Sequence, residues 1–302
     1  MAEVHLRQLA LAALCAVAII APAPVLAQNG RSLGLSADAV LLLDPAGRVI
    51  YAKNADFEHA PASLVKLMTL YLAYEDLEEG RVALDDVATI SRNAVTTPRY
   101  RMGLRLGDKV PVRTLMEGVA IASANDAATA LAEHISGDED TFVARMNAKA
   151  KDFGLSGMTR FANPHGLPDP RQRTNARDMA EITARLLQDH PESRTMLGGQ
   201  TFLYKGRLYA RHIPLFNDPG GVQALKTGFT NEAGYNLSVS AWREGHQFIM
   251  IVLGARSRAQ SFADAKKLLR YGFAETGLEP EPPVKPDPPK RRTRARRASS
   301  RR

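Results

Sequence analysis

The 302-residue sequence predicts an α+β fold in which one antiparallel sheet is assembled from both ends of the chain around a long helical insertion. Three observations carry this. Short apolar runs bounded by turn residues lie near 39–52 and again at 221–253. Between them, from 63 to 187, apolar residues recur three and four apart. The extreme termini have neither period.

The elements follow in chain order. Arg7 precedes an apolar run from Leu9 to Ile20, and the segment closes on Val25-Leu26-Ala27, with small residues where an export leader is cut. Residues 1–27 therefore read as a signal peptide. The run is too short for a membrane span and is broken by Pro22 and Pro24. Cys15, the single cysteine, lies inside this leader, and the bulky Leu14 before it argues against a lipoprotein cut. A mature chain beginning near Gln28 thus has no thiol, which excludes cysteine nucleophiles, disulfides and thiolate metal sites.

The folded unit is expected within 28–279. Residues 39–43 and 49–52 flank Asp44-Pro45-Ala46-Gly47 as a hairpin. Helices are expected at 63–79, stopped by Gly80, and at 112–122, 126–135, 141–153 and 176–187. Strands follow at 221–226, 235–242 and 247–253, joined by loops containing Gly234 and Gly245, and a helix over 262–273 closes the unit. From Pro280 the chain becomes proline-rich and then arginine-rich, a composition that cannot bury enough surface to offset its chain entropy. Residues 285–302 hold nine cations against Asp287, which accounts for the whole formal charge of +8. The body is neutral, so no nucleic-acid partner is implied. The tail 280–302 is expected to meet polyanions such as anionic membrane headgroups or wall polymers, with a merely solvated terminus as the alternative.

Three motifs carry chemistry. Pro61-Ala62-Ser63-Leu64-Val65-Lys66 opens the first long helix, and a spacing of three sets Ser63 and Lys66 one turn apart on one face, so the amine can reach the hydroxyl. Ser63 would also sit at the positive helix end. Ser123-Ala124-Asn125 lies between two apolar helices, where it could aim a hydroxyl and an amide into a cleft or simply cap the next helix. Lys226-Thr227-Gly228-Phe229 ends a strand: the ammonium and hydroxyl suit a carboxylate, and Gly228 would let a ligand backbone lie against the strand edge.

In this order the three resemble the signatures of the active-site serine penicillin-binding and β-lactamase superfamily. The stretches Lys53-Asn54-Ala55-Asp56, Asn163-Pro164-His165-Gly166-Leu167, Ala176-Arg177-Asp178-Met179-Ala180 and 226–236 narrow the resemblance to the low-molecular-mass D-alanyl-D-alanine carboxypeptidases of peptidase family S11. It covers about residues 35–275 and implies a β-lactamase/transpeptidase-like fold, an exported periplasmic or envelope enzyme, peptidoglycan stem peptides as substrates and β-lactams as covalent inhibitors. Carried over residue by residue, Ser63 is the nucleophile and Lys66 its base, neutral through burial and the like charge of Lys226. Ser123 with Lys226 passes a proton to the departing amine. Asn125 holds the stem-peptide amide, Lys226 and Thr227 the terminal carboxylate, and the N–H groups of Ser63 and Phe229 the oxyanion.

The sequence departs from the family pattern in places. Ala124 and Phe229 replace a common Gly and a frequent His. Ser261 stands where some relatives carry a carboxylate-binding arginine, a role open to Arg256 or Arg258. The Pro/Arg tail occupies the place of the β-sandwich and amphipathic anchor of many relatives. The histidines form no metal-ligating spacing, His165 reads as structural, and no phosphate-cradling glycine loop is present, so neither metal nor cofactor is expected. Three other readings stay open: a D,D-endopeptidase on cross-linked stems, a class A-like β-lactamase, which needs a Glu-x-x-Leu-Asn segment not found here, and a non-catalytic polyanion-binding protein.

Overall fold

The computed structural model describes residues 33–217 and 220–278; the expected leader and the tail 280–302 lie outside them. Strands β1 (Ala39–Leu43) and β2 (Val49–Lys53) form the expected hairpin. After a short 3-10 turn, Ala62–Val65, come α1 (Lys66–Glu78), β3 (Val87–Thr89), α2 (Arg92–Thr96) and β4 (Lys109–Pro111). Four longer helices follow: α3 (Val112–Ala120), α4 (Asn125–Ser136), α5 (Glu139–Asp152) and α6 (Ala176–Asp189). The chain continues with α7 (Ser193–Gly198), β5 (Thr201–Tyr204), β6 (Arg207–Ala210), β7 (Val222–Thr230), β8 (Gly234–Arg243), β9 (His246–Ala255) and α8 (Arg258–Glu275).

The main sheet runs β2-β1-β9-β8-β7, antiparallel throughout, so both ends of the chain build it around the helical middle as expected. Its two faces are both covered. Ile249, Ile251 and Leu253 of β9 join the core under the helices, while Phe248, Met250 and Val252 join a second core beneath α8. Burial on both faces is why these strands read as unbroken apolar runs. Helix α1 is buried on every side from Lys66 to Tyr74, which makes it the axis of the helical half. Gly80, at φ 69°, ends it in the left-handed conformation that stops helices.

Two expectations shift, and two strand pairs were not expected. The helix expected from residue 63 begins at Lys66, with Ser63 in the 3-10 turn before it. The strand expected to stop at 226 runs to Thr230, so Lys226-Thr227-Gly228-Phe229 lies within β7, at the sheet edge. The pairs β3–β4 and β5–β6 carry no clean sequence alternation, because each strand is only three or four residues long and Phe202, Leu203 and Tyr204 are apolar on both faces.

Candidate active site

Ser63 sits at a sharp bend. Ala62 before it holds φ at 49°, a conformation that costs a residue with a Cβ about 1–2 kcal/mol and persists only where neighbours enforce it. Two neighbours do. Asn236 of β8 donates from Nδ2 to the carbonyls of Ala60 and Pro61 at 3.0 and 3.1 Å. Gly166 presses so closely that a Cβ on it would collide with the Ala62 carbonyl oxygen.

Lys66 is wholly buried. Its Nζ lies 3.1 Å from Ser63 Oγ and 2.7 Å from Asn125 Oδ1, and also bonds the His165 carbonyl. Burial lowers its pKa to about 7 against the opposing pull of the Asp126 carboxylate. A neutral amine has two N–H groups and one lone pair. In that neutral form the Asn125 and His165 oxygens would take the two hydrogens and leave the lone pair for the Ser63 hydroxyl. The like charge of Lys226, expected to depress Lys66, acts chiefly the other way. Burial, then the charges of Lys66 and Arg211, hold Lys226 well below the ordinary lysine range.

Ser123 lies between α3 and α4 at φ 54° and accepts a hydrogen bond from Lys226 Nζ at 2.8 Å. Neither it nor Asn125 caps α4, whose N-cap is Ala124 with no side-chain bond. Asn125, expected to hold the stem-peptide amide, makes hydrogen bonds within the protein. It is 2% exposed, its Nδ2 donates to the carbonyls of Pro98 and Arg99 at 3.0 and 2.9 Å, and its Oδ1 faces Lys66. In this arrangement Asn125 joins the Lys66 amine to the loop beside the cleft.

On β7, Lys226 is buried and also donates to the Thr227 carbonyl at 2.8 Å. Gly228 also lets β7 pack against the Ser63 turn: a Cβ on it would stand 3.1 Å from Ser63 N. The Phe229 and Tyr235 rings pack with centroids 4.4 Å apart. Ser63, Ser123, Thr227, Gly228 and Phe229 line one cleft of about 540 Å³, as do Arg258 and Ser261; Arg256 lines a separate hollow by Asp38.

Sequence reasoning missed two supports. Asp126 accepts from the backbone N–H groups of Met102, Gly103 and Leu104 at 2.9–3.1 Å and fixes the loop opposite Ser63; an acid directly after Ser-Ala-Asn was its only signal. Arg211 lines the cleft and spends its guanidinium on the carbonyls of Gly199, Ala120, Leu225 and Leu197, and nothing local marks it. His165 offers its carbonyl to Lys66, while burial and the Lys66 charge hold its ring pKa near 3.

A family model described as D-alanyl-D-alanine carboxypeptidase matches residues 27–257. The chain belongs to the D-alanyl-D-alanine carboxypeptidase family. It is 38% identical over 268 residues to D-alanyl-D-alanine carboxypeptidase DacC of Escherichia coli, covering 86% of this chain and 66% of that protein. Penicillin binding protein 5 from Haemophilus influenzae superposes with a TM-score of 0.76 at 37% identity, over 80% of this chain and 71% of that one. Penicillin-Binding Protein D2 from Listeria monocytogenes, in its cefotaxime-bound form, superposes at 0.74 with 31% identity over 80% and 99%. The family chain described here spans just under two thirds of the length of the first curated relatives it matches, at 66% and 62%. The fold is that of the penicillin-binding proteins.

Proposed function

We propose that the protein is a serine-type D-Ala-D-Ala carboxypeptidase that removes the terminal D-Ala from peptidoglycan stem peptides. One observation supports this above all: a buried lysine, its pKa lowered to about 7, lies 3.1 Å from the hydroxyl of a serine that lines a cleft. Ser63 Oγ attacks the carbonyl carbon of the penultimate D-Ala as Lys66 Nζ takes its proton. The oxyanion forms where the Ser63 N–H and the β7 edge at Phe229 meet. The C–N bond breaks, and the departing D-Ala amine takes a proton through the Ser123–Lys226 contact. Water then cleaves the ester, and Ser63 regains its hydrogen.

The substrate carboxylate falls to the Thr227 hydroxyl and Arg258, with Lys226 behind them. Its arrival favours the protonated form of Lys226 against the burial that depresses it. β-Lactams would acylate the same serine and leave slowly. Export through the leader 1–27 to the periplasm or envelope, and retention there by the tail 280–302, belong to the same reading.

Intact-mass measurement with penicillin tests the nucleophile: the native chain gains one adduct, and Ser63→Ala gains none. An adduct on Ser63→Ala would overturn the assignment. Mass spectrometry of defined muropeptides separates loss of terminal D-Ala from cleavage of cross-links, which the same residues could perform.

A further inference from the structure

We infer that the outer face of the β5–β6 hairpin, with the turn it grips, is a docking surface for an anionic lipid bilayer. Strand side chains alternate faces. Phe202 and Tyr209 turn inward and stack with centroids 4.9 Å apart, whereas Leu203 and Leu208 stand directly opposite each other on the outer face, 66% and 63% exposed. This hairpin is separate from the main sheet. An aliphatic cross-strand pair held in water adds little to the fold and favours association with an apolar phase.

The neighbouring turn carries another exposed aliphatic, Leu106, at 58%. Tyr204 Oη and Lys205 Nζ both reach Asp108 Oδ2, at 3.2 and 2.7 Å, and bind that turn to the hairpin. Charge completes the surface. Segments 97–111 and 200–212 hold seven lysines and arginines against one acid, Asp108, whereas residues 1–284 as a whole carry no net charge. Arg211 is taken up by carbonyls and Lys205 by Asp108, while Arg99, Arg101, Arg105, Lys109 and Arg207 are exposed.

Exposed leucines and exposed cations on the same two segments match a bilayer with anionic headgroups: the aliphatic groups enter the acyl boundary and the cations stay at the phosphates. A polar wall polymer would engage the cations and leave the leucines in water. Strand β6 ends at Ala210, which lines the Ser63 cleft, so docking here sets the cleft mouth beside the bilayer.

The test uses the full chain carrying Leu203→Trp and vesicles of phosphatidylglycerol and phosphatidylcholine with brominated acyl chains. Trp242, the one native tryptophan, packs under Arg194 at 4.8 Å and gives a constant background. Emission from position 203 should shift blue and be quenched. The Leu203→Ser/Leu208→Ser variant should partition about tenfold less at high salt, where attraction by the tail is screened. It should hydrolyse a soluble D-Ala-D-Ala peptide at the native rate. Sedimentation of the chain with vesicles while residue 203 stays unquenched would overturn the inference, because the tail alone would be holding it. Loss of binding to isolated sacculi but not to vesicles in the double-serine variant would also overturn it, in favour of a wall polymer. A fall in soluble-peptide hydrolysis would overturn it in favour of a substrate subsite.

Discussion

Lys226 Nζ donates to Ser123 Oγ at 2.8 Å, so two short motifs 103 residues apart are one hydrogen-bonded unit. Lys66 with Asn125 is the second such unit, joined over 59 residues at 2.7 Å. Ser123 in the loop from α3 to α4 and Asn125 at the first residue of α4 thus each partner one buried lysine. The tests below separate what each partner does.

Acylation by a β-lactam should rise with pH through about 7, the value to which burial lowers Lys66. The sign follows from a depressed amine pKa: below it Lys66 is protonated and cannot accept the Ser63 proton, and above it the lone pair is free. Lys66→Arg should slow acylation at least about a hundredfold, since a guanidinium keeps its proton at any working pH. Stopped-flow acylation across pH measures both. A Lys66→Arg rate within about tenfold of native would remove the base role.

Asn125→Asp sets a carboxylate where Asn125 Oδ1 now faces Lys66 Nζ. A neighbouring negative charge favours the ammonium, so the acylation midpoint should move upward by about one pH unit or more. The carbonyls of Pro98 and Arg99 also lose their donor, which should loosen that loop. A weakened substrate KM with an unmoved pH midpoint would instead mean that Asn125 holds the stem peptide.

Arg211→Met should destabilise the fold by about 2–4 kcal/mol in urea unfolding, because four carbonyls lose a shared donor. It also removes a like charge that depresses Lys226. Any limb of the acylation profile that reports Lys226 should therefore move to higher pH in Arg211→Met and hold in Arg211→Lys. Equal movement in both would assign the effect to altered packing.

The serine and lysine of the first motif were legible because a helix places residues three apart on one face, and that local rule survives although the chain there is a 3-10 turn running into α1. The sheet built from both ends was legible because burial on two faces leaves continuous apolar runs. Arg211 was not. Its partners come from α3, α7 and β7, and no local pattern encodes a guanidinium shared among distant carbonyls. The partners of Asn125 were hidden for a related reason: sequence reveals an amide beside the cleft but not that its Oδ1 meets Lys66 and its Nδ2 bonds the Pro98 and Arg99 carbonyls.

Removing 280–302 should leave hydrolysis of a soluble D-Ala-D-Ala peptide within about twofold, since α8 already closes the core at Phe273. Binding to isolated sacculi should weaken, and the difference should vanish at high salt, because nine cations leave with the segment. Salt-independent retention by the truncated chain would make the tail a bystander.

Gly228→Ala tests whether β7 sets the Ser63 N–H. The glycine has no positive φ, so alanine suits its backbone, and the cost is purely one of space. The new Cβ would stand 3.1 Å from Ser63 N and 3.2 Å from both Ala62 Cβ and the Pro61 oxygen, which requires a displacement of a few tenths of an ångström between strand and turn. Stability should fall by only about 1–2 kcal/mol, yet acylation should drop by about tenfold or more, because that displacement opens the space in which the oxyanion is held. Gly166→Ala is the contrasting case. Its φ of 87° disfavours any side chain, and its Cβ would strike the Ala62 carbonyl, so it should lose fold and activity together. If Gly228→Ala acylates at the native rate while unfolding earlier, the strand buttresses the turn without shaping the oxyanion site.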